Sequence, residues 1–240
     1  MRLAAAKLAL APLLLTQGMY VRRVTPKLPE PKGARVGVTG TGKPLRLLIV
    51  GDSAAAGVGT AHQNDALLGQ LVAALAVDFE VSWCLLAQTG LTTLALIEQL
   101  EQQPKQSFDI AVTSLGVNDV TSQIKPKIWL QQQQQLIELL LLKFGVQKIL
   151  LSSVPPMHYF VALPQPLRWY LGQRAQSLNV LLAQAMRHHQ KAQFVVPHFT
   201  PNHNLLASDG FHPSSQAYSL WAAQLAQAIK PSVLKQTNQI

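Results

Sequence analysis

The stretch Leu45-Arg46-Leu47-Leu48-Ile49-Val50-Gly51-Asp52-Ser53 decides how the rest of the chain is read. Residues 45–50 form a short apolar run of the kind that makes a buried strand, and Gly51 ends it. Similar runs recur at 80–87, 109–115, 148–153 and 193–196. Between and after them lie longer helical patterns at 61–77, 92–103, 125–144, 165–190 and 214–229. Strands separated by helices of this length predict a parallel sheet covered on both faces. Parallel crossovers are right-handed, so the expected fold is α/β, a three-layer α/β/α sandwich with a five-stranded parallel, flavodoxin-like sheet. Ligands in such sheets bind at the carboxyl ends of the strands.

Composition agrees with one ordinary domain. The chain has 240 residues, 48% hydrophobic and 13% charged, which is apolar enough to bury a large core and excludes disorder for most of its length. Cys84 is the lone cysteine, so no intrachain disulfide scaffold is available. No apolar run approaches the roughly 20 residues that a membrane span requires, which argues against a multi-span protein.

The net charge of +9 is unevenly placed. Residues 1–46 carry nine basic side chains against Glu30 alone, a net +8, whereas residues 47–240 carry 11 basic and 10 acidic side chains, a net +1. With the strand pattern beginning at Leu45, the chain reads as a basic leader (1–44) and a nearly neutral folded body (45–240). Such a leader suits a negatively charged surface, and an anionic membrane contacted through residues 1–46 is the expected partner. Nucleic acid is not expected, because the body lacks a basic helix or interleaved aromatic stripe.

Within the leader, residues 3–15 are mostly Ala and Leu, and residues 16–44 are basic and rich in Pro and Gly, which reads as an extended connector. Three readings of the apolar part compete. It could be a membrane-surface helix, leaving the protein membrane-associated, or a helix packed on its own body, leaving it cytoplasmic. It could also be a signal peptide for export, with Arg2 and Lys7 as the positive end. The segment from Gly37 to Lys43 almost spells a phosphate-binding loop. However, Pro44 stands where a Ser or Thr would hold magnesium, and the segment precedes the first strand instead of following one. Gln131–Gln135 reads as a solvated helix face.

Four loop motifs carry the chemistry. Gly51-Asp52-Ser53 puts a serine on the first strand-to-helix turn, where backbone N–H groups can stabilise negative charge. Ser208-Asp209-Gly210-Phe211-His212-Pro213 places an aspartate three residues before a histidine, a spacing that lets the carboxylate hold Nδ1–H and leaves Nε2 as a base. Gly90, after the second strand, and Asn118, after the third, could direct an N–H and a side-chain amide at a carbonyl oxygen. Each motif alone equally suits a cap or a turn.

Taken in order, the four resemble the SGNH hydrolase superfamily, the GDSL-type esterases and lipases, over about residues 45–230. The namesake Ser, Gly, Asn and His of that family match Ser53, Gly90, Asn118 and His212. Ala54 departs from the leucine of the eponymous motif. The resemblance implies a carboxylic ester hydrolase that uses no metal or cofactor, with Ser53 as nucleophile, His212 as general base and Asp209 orienting it. The implied oxyanion donors are the Ser53 and Gly90 N–H groups and the Asn118 amide. The expected substrate is a small-molecule or lipid ester, short acyl or lysophospholipid-like. An acyl or acetyl transferase or a saccharide deacetylase would use the same residues, and a non-catalytic membrane-bound binding protein would need none of them. Residues 154–172, rich in Pro and large apolar side chains, follow the fourth strand, and Met157, Phe160, Leu163 and Trp169 are the candidates for an acyl-binding wall.

Overall fold

The computed structural model describes residues 2–197 and 203–235. Five parallel strands form the centre of the sheet: β2 (Lys43–Gly51), β3 (Phe79–Ala87), β4 (Ile110–Ser114), β5 (Lys148–Ser152) and β6 (Ala192–Val195). A sixth strand, β1 (Val36–Thr39), pairs antiparallel with β3, and the order across the sheet is β1-β3-β2-β4-β5-β6. Among the five parallel strands the order is the flavodoxin-like one expected.

The sixth strand corrects the expectation of five and of an unbroken extended connector. Its sequence, Val-Gly-Val-Thr, is only four residues long and lies among Gly33, Gly40 and Gly42, so turn-forming residues mask its pattern. On the sheet it covers the outer edge of β3, which would otherwise present unpaired backbone groups.

Both faces of the sheet are buried, and the residues of β2 divide between them with period two. Leu48 and Val50 join the core formed with Leu96, Leu136, Phe144 and Leu178, while Leu47 and Ile49 join the core formed with Leu71, Val112 and Leu225. The first core lies under α4 (Thr93–Gln102), α6 (Pro126–Leu142) and α7 (Leu167–Met186); the second lies under α3 (Leu67–Leu75) and α8 (Ser215–Lys235). Residues 61–77 are not one helix, because a short 3-10 turn at Gln63–Asp65 precedes α3. Gln133 also departs from expectation: it is buried, and its amide donates to the Thr93 hydroxyl at 2.9 Å.

The leader begins with α1 (Arg2–Val24), which continues through Arg22 and Arg23 into the stretch read as connector. Leu3, Leu10, Leu14 and Val21 face the first core, at spacings of one or two helical turns that put them on one side of the helix. Gln17 fastens α1 to the start of α7. Its amide donates to the Gln165 carbonyl at 2.6 Å, and its side-chain oxygen accepts from the Leu167 N–H at 3.1 Å. Among the described residues no helix is long and apolar enough to cross a membrane.

Candidate active site

Strand register brings the four motifs to one edge. Gly51 pairs with Ala87 on one side and Ser114 on the other, so β2, β3 and β4 end level. Ser53, Gly90 and Asn118 each follow within a few residues of those ends. Gly51 has to be glycine, since a Cβ there would lie 2.1 Å from the Ser114 carbonyl oxygen. Gly90 sits at φ +89°, in the left-handed region that glycine enters freely. Asn118 lies in a short helix after β4, α5 (Val117–Thr121), and its amide donates to the Leu91 carbonyl at 2.9 Å, which ties α5 to the loop carrying Gly90. That bond uses one of the two amide hydrogens.

Ser53 opens a single helical turn, α2 (Ser53–Ala56), capped by the Asp52 carboxylate accepting from the Ala54 N–H at 3.1 Å. His212 approaches from the loop before α8, with its Nε2 2.9 Å from the Ser53 hydroxyl oxygen. On the other side of the ring, Nδ1 lies 2.6 Å from Asp209 Oδ2. A carboxylate only accepts, so the ring proton belongs on Nδ1, and Nε2 is free to accept from Ser53. The second Asp209 oxygen accepts from the Phe211 and His212 N–H groups, both at 3.0 Å, which fixes the aspartate in its own turn.

The two aspartates are electrostatically unlike. Burial pushes Asp209 upward, but the His212 ring, the His212 and Phe211 N–H groups and the imidazole's charge outweigh it and hold the carboxyl below its ordinary value. Asp52 is buried with less support. Desolvation raises it to about 7 against the pull of the Ala54 N–H and His212, and Asp119 pushes the same way as burial.

The sequence profile of the GDSL-like lipase/acylhydrolase family matches residues 49–220, most of the chain. The protein is a member of the GDSL-like lipase/acylhydrolase family. Solved structures of similar fold include a carbohydrate acetylesterase from Sinorhizobium meliloti, 17% identical with a TM-score of 0.58, the match covering 78% of this chain and 99% of that one. Another is a member of the lipolytic G-D-S-L family from Veillonella parvula, 14% identical with a TM-score of 0.61, covering 77% of this chain and 98% of that one. A third is a carbohydrate esterase family 2 enzyme with a carbohydrate binding domain from Corynascus thermopiles. It is 17% identical with a TM-score of 0.64, and the match covers 87% of this chain and 68% of that one. No curated protein sequence matches.

In this acylhydrolase-family chain a cavity of about 230 Å³ opens beside Ser53 and His212. Its walls are largely apolar, with Val154, Pro155, Phe160, Leu206 and Phe211 among them, and among the described residues no Lys or Arg lines it. Those residues come from the loops beyond β5 and β6 and before α8. The cavity therefore extends from β2 toward β6, whereas Gly90, on the β3 side, lies away from it. Of the four wall candidates, Phe160 lines the cavity and packs on Phe211 with ring centroids 4.6 Å apart. Met157 and Leu163 are buried in the core and Trp169 is half exposed, and none of the three lines the cavity. Their spacing could not separate a wall from the core beneath it. Tyr159, which does line it, lies in the same segment.

Asp119 accepts from the Thr93 N–H and hydroxyl, so it caps α4, a helix that precedes it in the chain. His188 and His189 are exposed beyond the end of α7, and His198 lies outside the described residues. No group of His, Cys, Asp and Glu able to hold a metal occurs among the described residues.

Proposed function

We propose that the protein hydrolyses carboxylic esters with an apolar acyl group, through an acyl-enzyme on Ser53. The observation that carries this reading is the unbroken chain from Ser53 Oγ to His212 to Asp209, opening on an apolar cavity. A neutral hydroxyl attacks an ester poorly. His212 Nε2 takes the Ser53 proton as Oγ bonds to the carbonyl carbon, and Asp209 stabilises the imidazolium that results. The carbonyl electrons collect on oxygen, where the Ser53 and Gly90 N–H groups and the free Asn118 amide hydrogen donate to it. One such donor can be worth ~3 kcal/mol in the transition state. As the carbon–oxygen bond to the alcohol breaks, His212 returns the proton to the departing alcohol. Water then attacks the acyl-serine, with His212 again as base, releasing the acid and restoring Ser53.

The apolar walls, with no Lys or Arg among the described lining residues, favour an uncharged hydrocarbon acyl group. Hydrolysis of p-nitrophenyl esters by wild type and Ser53→Ala tests the mechanism. Loss of activity in the variant with unchanged folding is expected, and a fully active variant would overturn it.

A further inference from the structure

We propose that the outer face of α1 is a docking surface for an anionic lipid bilayer, holding the enzyme on the membrane surface. The helix is apolar on two faces, and the body covers only one. Leu3, Leu10, Leu14 and Val21 pack inward, while Leu8, Leu15, Met19 and Tyr20 point away at 79%, 68%, 57% and 61% exposure. A helix that merely packs on its own domain carries a polar outer face. Here no charged residue occurs between Lys7 and Arg22.

Charge identifies the partner. Lys7 precedes the apolar stretch, and Arg22, Arg23 and Lys27 follow it, in a chain whose residues 1–46 carry +8 while the rest carries +1. An apolar face bounded by basic residues matches a helix lying in the headgroup region of an anionic leaflet, with its apolar side in the acyl boundary. A second copy of this chain would bring the same basic flanks together and repel. The Gln17 bonds to Gln165 and Leu167 make the helix rigid with the segment that runs from Phe160, on the cavity wall, into α7. Docking therefore sets the cavity at a fixed place relative to the lipid. The proposal stands apart from the ester chemistry.

The test is cosedimentation of the full chain with vesicles of phosphatidylcholine alone and of phosphatidylcholine mixed with phosphatidylglycerol, at low and high salt. Wild type should bind the anionic vesicles at least tenfold better than the neutral ones, and high salt should weaken that binding. A Leu8→Glu, Leu15→Glu, Met19→Glu variant and an Arg22→Gln, Arg23→Gln variant should each lose binding about tenfold or more. Both should keep the wild-type circular dichroism spectrum and melting temperature. A polarity-sensitive fluorophore on Met19→Cys, with Cys84 buried, should shift to the blue on anionic vesicles even if the charged variants prove unstable. Equal binding by wild type and a folded outer-face variant would overturn the proposal. So would equal binding to both vesicle types, an unshifted fluorophore, or a wild-type dimer that binds no vesicles.

Discussion

The Glu30 carboxylate accepts hydrogen bonds from both the backbone N–H and the hydroxyl of Thr89, at 2.7 and 2.8 Å, through a single oxygen. Its other oxygen pairs with Arg35, whose guanidinium also donates to the Ala87 carbonyl at 2.6 Å. Two residues of the leader thus clamp the turn that presents Gly90, although both precede the matched family segment at 49–220. Partial burial raises Glu30, but the Thr89 donors and then Arg35 more than offset it and hold the carboxyl below its ordinary value.

If the clamp positions the Gly90 N–H, its loss should appear in turnover. Glu30→Ala should lower kcat about tenfold, which corresponds to about 1.4 kcal/mol of transition-state stabilisation, with KM nearly unchanged. Glu30→Gln keeps an oxygen for Thr89 and should restore most of kcat. Steady-state kinetics on a p-nitrophenyl ester separates the two. A variant that changes only KM or only the melting temperature would reduce the clamp to a structural tie.

Asp209→Asn preserves shape but offers His212 an amide in place of a carboxylate, favouring the wrong tautomer. Under the proposed mechanism kcat should fall by roughly 10³–10⁴. The stability change has a definite sign. Asp209 is held below its ordinary 3.8 in the folded protein, so the ionised side chain stabilises the fold above that pH and loses the contribution as pH falls through the lower, folded value. Urea unfolding of wild type and variant should therefore differ at neutral pH and converge in acid. A gap that persists at low pH would show that the loss is steric.

Asp52 should behave in the opposite sense. Its folded value of about 7 exceeds the ordinary 3.8, so between those limits the unfolded chain ionises while the folded one stays protonated. Over that window wild type should lose stability relative to Asp52→Asn by up to about 1.4 kcal/mol per pH unit, with no further loss above pH 7. Asparagine retains an oxygen for the Ala54 N–H, so α2 keeps its cap. A stability difference that is flat from pH 4 to 7 would mean that Asp52 is ionised throughout.

What the sequence could show depended on how local each signal was. The parallel strands were legible because β2 and its neighbours are short apolar runs bounded by turn residues, and the loops bearing Ser53, Gly90, Asn118 and His212 follow them directly. Asp209 was legible because a three-residue spacing to His212 dictates a contact. β1 was not, because four residues with an internal glycine have no pattern of their own and form a strand only beside β3. Nor was the Glu30–Thr89 clamp, which joins residues 59 apart. The two sides of α1 were hidden for another reason: Leu14 and Leu15 are the same residue type, and only the packing of α7 decides that one is buried and the other exposed.

The same limit applies to the acyl wall, where a concluding experiment can separate neighbours in sequence. Phe160 lines the cavity and packs against Phe211, which meets the His212 ring edge-on, with centroids 5.3 Å apart. Each methylene of a substrate chain buried on those walls can contribute up to about 0.8 kcal/mol, roughly fourfold in kcat/KM, until the cavity is filled. Across p-nitrophenyl acetate, butyrate, hexanoate and octanoate, wild type should therefore rise in kcat/KM and then level off. Phe160→Ala removes part of the wall, so the plateau should move to longer chains, with some loss on acetate because Phe211 loses its support. Trp169→Ala, at a half-exposed position away from the cavity, should leave the whole profile unchanged. If Trp169→Ala shifted the chain-length preference while Phe160→Ala did not, the acyl group would have to lie outside this cavity.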